Sequence, residues 1–194
     1  MILSNQEIHQ ALDDGKLVIK PEPQPRELCP GRECPYQTSS VDLTLGDEVS
    51  RFDLEHKPPV VIDLREGKFK DLFTPHSRDF TITEEQPYVL MPGTLVLAKT
   101  YEMVSLPLGV SPCLAARVEG KSSYARCGLM VHFTAPTIHA GFAGTITLEL
   151  INFGPFKIAL YPRMPICQLI IEQVSGTPFR NDSQFQGQHR PSGT

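Results

Sequence analysis

Prolines and glycines interrupt this chain so often that long helices have little room: 18 Pro and 14 Gly are spread through 194 residues. Proline removes a backbone donor and fixes φ, while glycine invites turns. The segments between them must therefore be short. Many alternate apolar and polar residues, the period of a strand with one buried face. SSVDLTLG (Ser39–Gly46) and the run from Thr145 to Asn152 are clear cases. Further strands are expected at Leu17–Ile19, Val60–Leu64, Asp79–Ile82, Tyr88–Leu90, Thr94–Lys99, within Val110–Glu119, and at Leu129–Thr134, Lys157–Tyr161 and Ile166–Gln173. Strand–helix–strand periodicity is missing. The expected fold is mainly β: a distorted antiparallel barrel or jelly roll with short helices. One domain is expected over 1–174, with a polar arm over 175–194.

The expected exception to the strands is a short N-terminal helix. Ser4 and Glu7 form a Ser-x-x-Glu capping box, Ile8, Ala11 and Leu12 share an apolar face, and Gly15 supplies a left-handed stop. Residues 20–38 carry Pro21, Pro23, Pro25, Pro30 and Pro35, so this stretch reads as a loop. The hydrophobic share of 40% supports a packed core, and the formal charge of −4 argues against a broad nucleic-acid-coating surface. No run approaches the length of a membrane-crossing helix, and the start MILSNQEIHQ does not read as a secretory signal. Five scattered cysteines are poor evidence for a disulfide scaffold, which points to a reducing cytoplasm. Cys29 and Cys34 could be a metal half-site or part of a surface loop.

Candidate chemistry concentrates in EGKSSYARCGLMVHF (Glu119–Phe133). A helical turn would place Ser122 and Arg126 on one face beside Lys121 and Ser123, a set suited to a phosphate or nucleotide, or simply a charged surface turn. Glu149 shares a strand face with Thr145, Thr147 and Ile151, opposite Ile146, Leu148 and Leu150. It could be a solvated charge, or a general base and acid in a closed pocket. His132 reads as a hydrogen-bonded structural histidine, and His139 as a turn residue that could line a sugar pocket. The His-Glu-x-x-His zinc motif, the zinc-deaminase signature, the P-loop and the dinucleotide fingerprint are all missing.

These blocks together resemble the dCTP deaminase family, in the superfamily that also contains trimeric dUTPases. The matching marks are LSNQEI, GKLVI, SSVDLTLG, LMPG, EGKSSYARCGLMVHFTA, AGFAGTITLEL and FQGQ, in order along nearly the whole chain. The resemblance implies a dUTPase-type fold, a homotrimer with active sites between subunits, and conversion of dCTP and water to dUTP and ammonia without catalytic zinc. That product would supply deoxyuridine nucleotides for thymidylate synthesis. Carried onto this chain, Glu149 would shuttle protons while Ser122, Arg126 and the Ala135 carbonyl position water and the reacting base. Lys121, Ser123, His139, Gln168, Phe179, Gln184 and Gln188 would contact the nucleotide. Magnesium would travel with the triphosphate, the C-terminal arm would close over the site, and dTTP could restrain the enzyme.

Two departures stand out. His139 occupies a position where relatives usually carry Asp, and Gln184 one where they often carry Lys. Histidine lacks the permanent negative charge that helps prepare hydrolytic water in dUTPase chemistry, so the main expectation is deamination alone. The alternatives are a bifunctional enzyme releasing dUMP and diphosphate, and a non-catalytic nucleotide-binding regulator.

Overall fold

The computed structural model describes residues 1–53, 61–63, 65, 73–132 and 134–180. Helix α1 (Asn5–Asp13) begins at the expected capping box: the Ser4 side chain accepts from Glu7 N, and Glu7 reaches back to the Ser4 backbone. Gly15, at φ +67°, lets the chain leave the helix. Ile8 and Ala11 are buried, so the helix packs through its apolar stripe.

Among the described residues twelve strands follow: β1 (Val18–Lys20), β2 (Tyr36–Gln37), β3 (Ser40–Phe52), β4 (Ser77–Thr81), β5 (Tyr88–Leu90), β6 (Leu95–Ser105), β7 (Leu114–Gly120), β8 (Leu129–Val131), β9 (Thr137–Ile138), β10 (Ala143–Asn152), β11 (Ile158–Leu160) and β12 (Pro165–Gln173). The main sheet runs β8-β10-β6-β3-β12-β7-β9, with β1 paired to β6 and both β2 and β4 paired to β3. Strands β5 and β11 form a separate pair. All these pairings are antiparallel. The sheet curls into a half-barrel, bringing its two ends together: a Cβ on Gly120, at the end of β7, would lie 3.5 Å from Val131 Cβ on β8.

The core lies inside this curl. Strand β10 shows why the sequence folds this way: Ile146, Leu148 and Leu150 alternate inward and are almost completely buried. Leu148→Ala should cost about 2–5 kcal/mol, because the transfer loss is joined by a cavity. Strand β6 turns Val96, Ala98, Thr100, Glu102 and Val104 to the same interior. Where its register with β10 slips between Thr145 and Thr147, the buried Thr100 hydroxyl repairs the ladder. It accepts from Ile146 N at 3.0 Å and donates to Glu102 O at 2.7 Å.

Several expected strands shift or lengthen. The strand expected at Thr94–Lys99 continues to Ser105, and that expected at Ser39–Gly46 continues to Phe52. In both cases buried positions continue past the expected end. The strand expected at Leu129–Thr134 stops at Val131, because His132 adopts φ +50°, outside the β region. The expectation at Val60–Leu64 falls partly on residues outside the described set, and 61–63 form no strand. Of the cysteines, all five are free; Cys113 and Cys167 are buried, whereas Cys127 is exposed.

Candidate active site

Two backbone features set the site's frame. The first is the exit from β7 into a short helix, Ser122–Ala125, whose first turn is closed by Tyr124 N and Ala125 N donating to Lys121 O, each at 3.0 Å. The second is a crossing of backbones just beyond it. Gly128 has φ +92°, and a Cβ there would lie 2.2 Å from Gly154 N. Only glycine fits such an approach. Phe153 N donates to Gly128 O at 2.8 Å. The helix is thereby tied to the C-terminal end of β10, the strand that carries Glu149.

Glu149 sits on the outward face of β10, opposite Leu97 of β6, with its side chain 36% exposed. His132 follows β8, and its backbone N donates to Glu149 O at 2.9 Å. Its ring turns back to the carboxylate, placing Nδ1 2.6 Å from Glu149 Oε2. The contact is close, yet its angles are not those of a hydrogen bond: both His132 nitrogens and Glu149 Oε2 are buried without an aligned partner. A buried polar atom left this way costs about 1–3 kcal/mol. The left-handed backbone of His132 adds a cost of order 1 kcal/mol. His132 is therefore no hydrogen-bonded structural histidine, as the sequence suggested. It faces the candidate catalytic carboxylate, and a local break in the strand aims it there.

The other expected residues divide into groups. Ser122, Ser123 and Arg126 are exposed on or beside the short helix. Ala135 is exposed in the segment before β9, next to Pro136, whose carbonyl accepts Val118 N at 2.9 Å. His139 is exposed in a tight turn: its carbonyl accepts Phe142 N at 3.1 Å, while Gly141 takes φ +90°. Lys121 and Gln168 both engage Asp42. Lys121 Nζ is 2.5 Å from Asp42 Oδ2, and Gln168 Nε2 donates to Asp42 Oδ1 at 3.3 Å. Phe179 is 87% exposed, and Gln184 and Gln188 lie outside the described residues. Among the described residues, no group of three or more His, Cys, Asp or Glu side chains is placed to hold a metal ion. Among them also, no helix is long and apolar enough to cross a membrane.

The sequence missed a second buried carboxylate. Glu102 is 4% exposed and accepts from Thr44 N at 2.9 Å and Thr44 Oγ1 at 2.7 Å. Burial pushes its pKa up, against the lowering effect of the Thr44 donors. It lines a cavity of about 320 Å³ with Asp42, Thr44, Tyr101 and Arg163, roofed by the proline-rich loop. Glu149 and His132 are not among the residues around this cavity.

The family model described as dCTP deaminase-like matches residues 2–174. A protein named dCTP deaminase, dUMP-forming, from Methanosphaera stadtmanae is 38% identical over 196 residues, covering 98% of this chain and 91% of that protein. A protein of the same name from Dictyoglomus thermophilum is 38% identical over 197 residues, covering 99% and 93%. One named dCTP deaminase, from Thermomicrobium roseum, is 35% identical over 196 residues, covering 98% and 91%. The crystal structure of 2'-deoxycytidine 5'-triphosphate deaminase from Agrobacterium tumefaciens shares the fold at a TM-score of 0.59 and 20% identity. It covers 88% of this chain, which spans 47% of that longer one. Matched from residue 2 to residue 174 and more than a third identical to relatives along nearly their whole length, the chain belongs to the dCTP deaminase-like family.

Proposed function

We propose that this chain deaminates dCTP and then releases diphosphate, giving dUMP. The observation that carries the deamination is the Glu149–His132 contact, which presents a half-exposed carboxylate beside a buried imidazole. In this reading Glu149 takes a proton from water as its oxygen attacks cytosine C4. Glu149 passes that proton to N3, then carries the proton of the new C4 hydroxyl to the amine, and the C4–N bond breaks to leave a C4 carbonyl and ammonia. His132 faces the carboxylate throughout, with Nδ1 2.6 Å from Oε2, and holds its orientation. Ser122, Arg126 and the Ala135 carbonyl hold the water and the ring, and fixed dipoles of this kind lower the barrier to charge development.

The second step rests on the relatives' names, which favour the dUMP-forming reaction over the simpler deamination expected from His139. Water would attack the α-phosphorus and diphosphate would leave. An imidazole has a ring nitrogen that can accept a hydrogen bond, so histidine at the turn is chemically compatible with orienting that water. Magnesium, arriving with the triphosphate, would neutralise phosphate charge. A homotrimer belongs to the same reading, supported by the exposure of Ser122, Ser123 and Arg126, which leaves them open to a neighbouring subunit. So does restraint by dTTP at the nucleotide site, inherited from the family resemblance.

The competing reading ends at dUTP. It is favoured by His139 itself and by the Thermomicrobium roseum relative, whose name carries no dUMP-forming qualifier. Measuring ammonia and diphosphate separately from dCTP distinguishes the two. Equal release of both supports dUMP formation; ammonia with accumulating dUTP overturns it. Tight nucleotide binding without either product would instead indicate a regulator.

A further inference from the structure

The helix that carries Ser122 and leads to Arg126 has only four residues, Ser122–Ala125. So short a helix has almost no stability of its own, and its orientation must come from what holds its ends. The Gly128–Gly154 crossing secures the C-terminal side. At the N-terminal side, Lys121 is held by Asp42. Asp42 is 9% exposed on β3, and its backbone N donates to Pro35 O at 2.8 Å. Its carboxylate is shared: Oδ2 meets Lys121 Nζ at 2.5 Å, and Oδ1 accepts from Gln168 Nε2 on β12 at 3.3 Å. Gln168 itself is registered between Asp42 of β3 and Glu119 of β7. Three neighbouring strands thus converge on one buried carboxylate just where β7 gives way to the helix.

The ion pair is mostly shielded, with side-chain exposures of 20% for Lys121 and 11% for Asp42. Removing either partner leaves the other charge stranded, the costly way to break such a pair. The Lys121 ammonium is therefore committed to the protein. We propose that Asp42 is a positioning residue for the reaction: it fixes Lys121 and, through it, sets the placement of Ser122 and Arg126. Lys121 then serves the chemistry through the helix it starts, and not as a free cation for the triphosphate. Gln168 steadies Asp42 and likewise acts from behind the site. This inference rests on the deaminase reading of the helix.

The test compares Asp42→Asn, Lys121→Met, Lys121→Arg and the Asp42→Asn/Lys121→Met double variant in the full chain. Ammonia release from dCTP is measured alongside amide hydrogen exchange of the ligand-free protein. Asp42→Asn and Lys121→Met should each lower kcat by about tenfold to a hundredfold, since a small misplacement of reacting groups is enough for that. KM for dCTP should stay within about threefold, because positioning in the transition state is lost rather than uniform binding. The double variant should be no worse than the poorer single one, as expected for partners in one interaction. Lys121→Arg, which can still reach Asp42, should recover most of the activity. Exchange across 122–128 should accelerate in both single variants and not in Lys121→Arg.

A rise in KM with kcat preserved in Lys121→Met, together with an unaffected Asp42→Asn, would make Lys121 a phosphate ligand and overturn the proposal. Additive losses in the double variant would do the same. If the wild-type chain released no ammonia, the deaminase reading would fail on its own. Exchange would then still decide the anchoring, with unchanged protection at 122–128 counting against it. Should Asp42→Asn fail to fold, Lys121→Met and Lys121→Arg carry the same comparison.

Discussion

Two glutamates on adjacent strands have opposite surroundings. Glu102 of β6 points into the sheet's concave interior, 4% exposed, with Thr44 donating to both of its oxygens. Glu149 of β10 points the other way, with its side chain 36% exposed and Oε2 pressed against an imidazole that forms no aligned hydrogen bond with it. The first carboxylate has its hydrogen-bonding needs met within the protein and serves to join β3 to β6. The second retains hydrogen-bonding capacity that a water or a base could use. Burial alone is thus a poor guide to which carboxylate does chemistry; the state of its partners separates them.

The sharpest way to break this comparison is Glu149→Gln. It keeps the shape of the side chain and removes its proton-accepting charge. Ammonia release from dCTP should fall by about a thousandfold, within the usual range for a general acid–base group, while the melting temperature stays close to that of the parent. Near-parental turnover would place the proton shuttle elsewhere.

Next in size is His132→Asn. Asparagine tolerates the left-handed backbone at this position better than most residues, so the variant tests the imidazole and not the turn. Turnover should drop by about tenfold to a hundredfold. The loss should fall on kcat with KM for dCTP within about threefold, as expected when an interaction with the reacting group in the transition state is removed. Parental turnover would mean that the contact is only packing.

Both glutamates bear on what the sequence made legible. The alternation in TITLELIN placed Glu149 on the face opposite Ile146, Leu148 and Leu150, and the structure has it there. The same alternation runs through Val96, Ala98, Thr100, Glu102 and Val104. Yet the strand was expected only as far as Lys99, and Thr100 and Glu102 stand at inward positions beyond that end. Those positions are tolerated because Thr100 and Glu102 find hydrogen bonds across the sheet. Such partners lie dozens of residues away, and local periodicity carries no sign of them. His132 was hidden for a different reason: nothing in LMVHF announces a positive φ in a non-glycine residue, and only that twist turns the ring toward Glu149. Lys121 was correctly placed beside the helix, but its commitment to Asp42 depends on a pairing of distant strands.

Glu102→Gln sharpens the comparison from the structural side. Turnover should change by less than about threefold, since Glu102 faces the interior of the sheet, away from Glu149, and its loss removes only hydrogen bonds worth about 1 kcal/mol each. The informative signal is the pH dependence of stability. Burial raises the Glu102 pKa in the folded state, so between the unfolded and folded values the native protein binds more protons than the unfolded chain. Stability attributable to this group is present below the ordinary glutamate range and is lost as pH rises through the elevated folded value. Glutamine does not titrate, so the variant's stability should decline less steeply over that interval. Denaturant unfolding at a series of pH values measures the difference, and parallel curves would mean that Glu102 keeps an ordinary pKa despite its burial.

The smallest expected effect, and the most specific, concerns His139. His139→Asp restores the permanent negative charge that the turn lacks while leaving the Phe142 N to residue-139 carbonyl hydrogen bond available. Ammonia release should change by less than about threefold, because no proton of the deamination passes through this position in the proposed scheme. Diphosphate release is the discriminating readout. If histidine already prepares the second water, replacing an imidazole by a carboxylate should leave the ratio of diphosphate to ammonia near its starting value at neutral pH. If histidine instead blocks the second step, dUTP accumulates in the parent and the aspartate variant converts it onward. The two outcomes assign position 139 opposite roles, and the ratio of the two products separates them without reference to absolute rates.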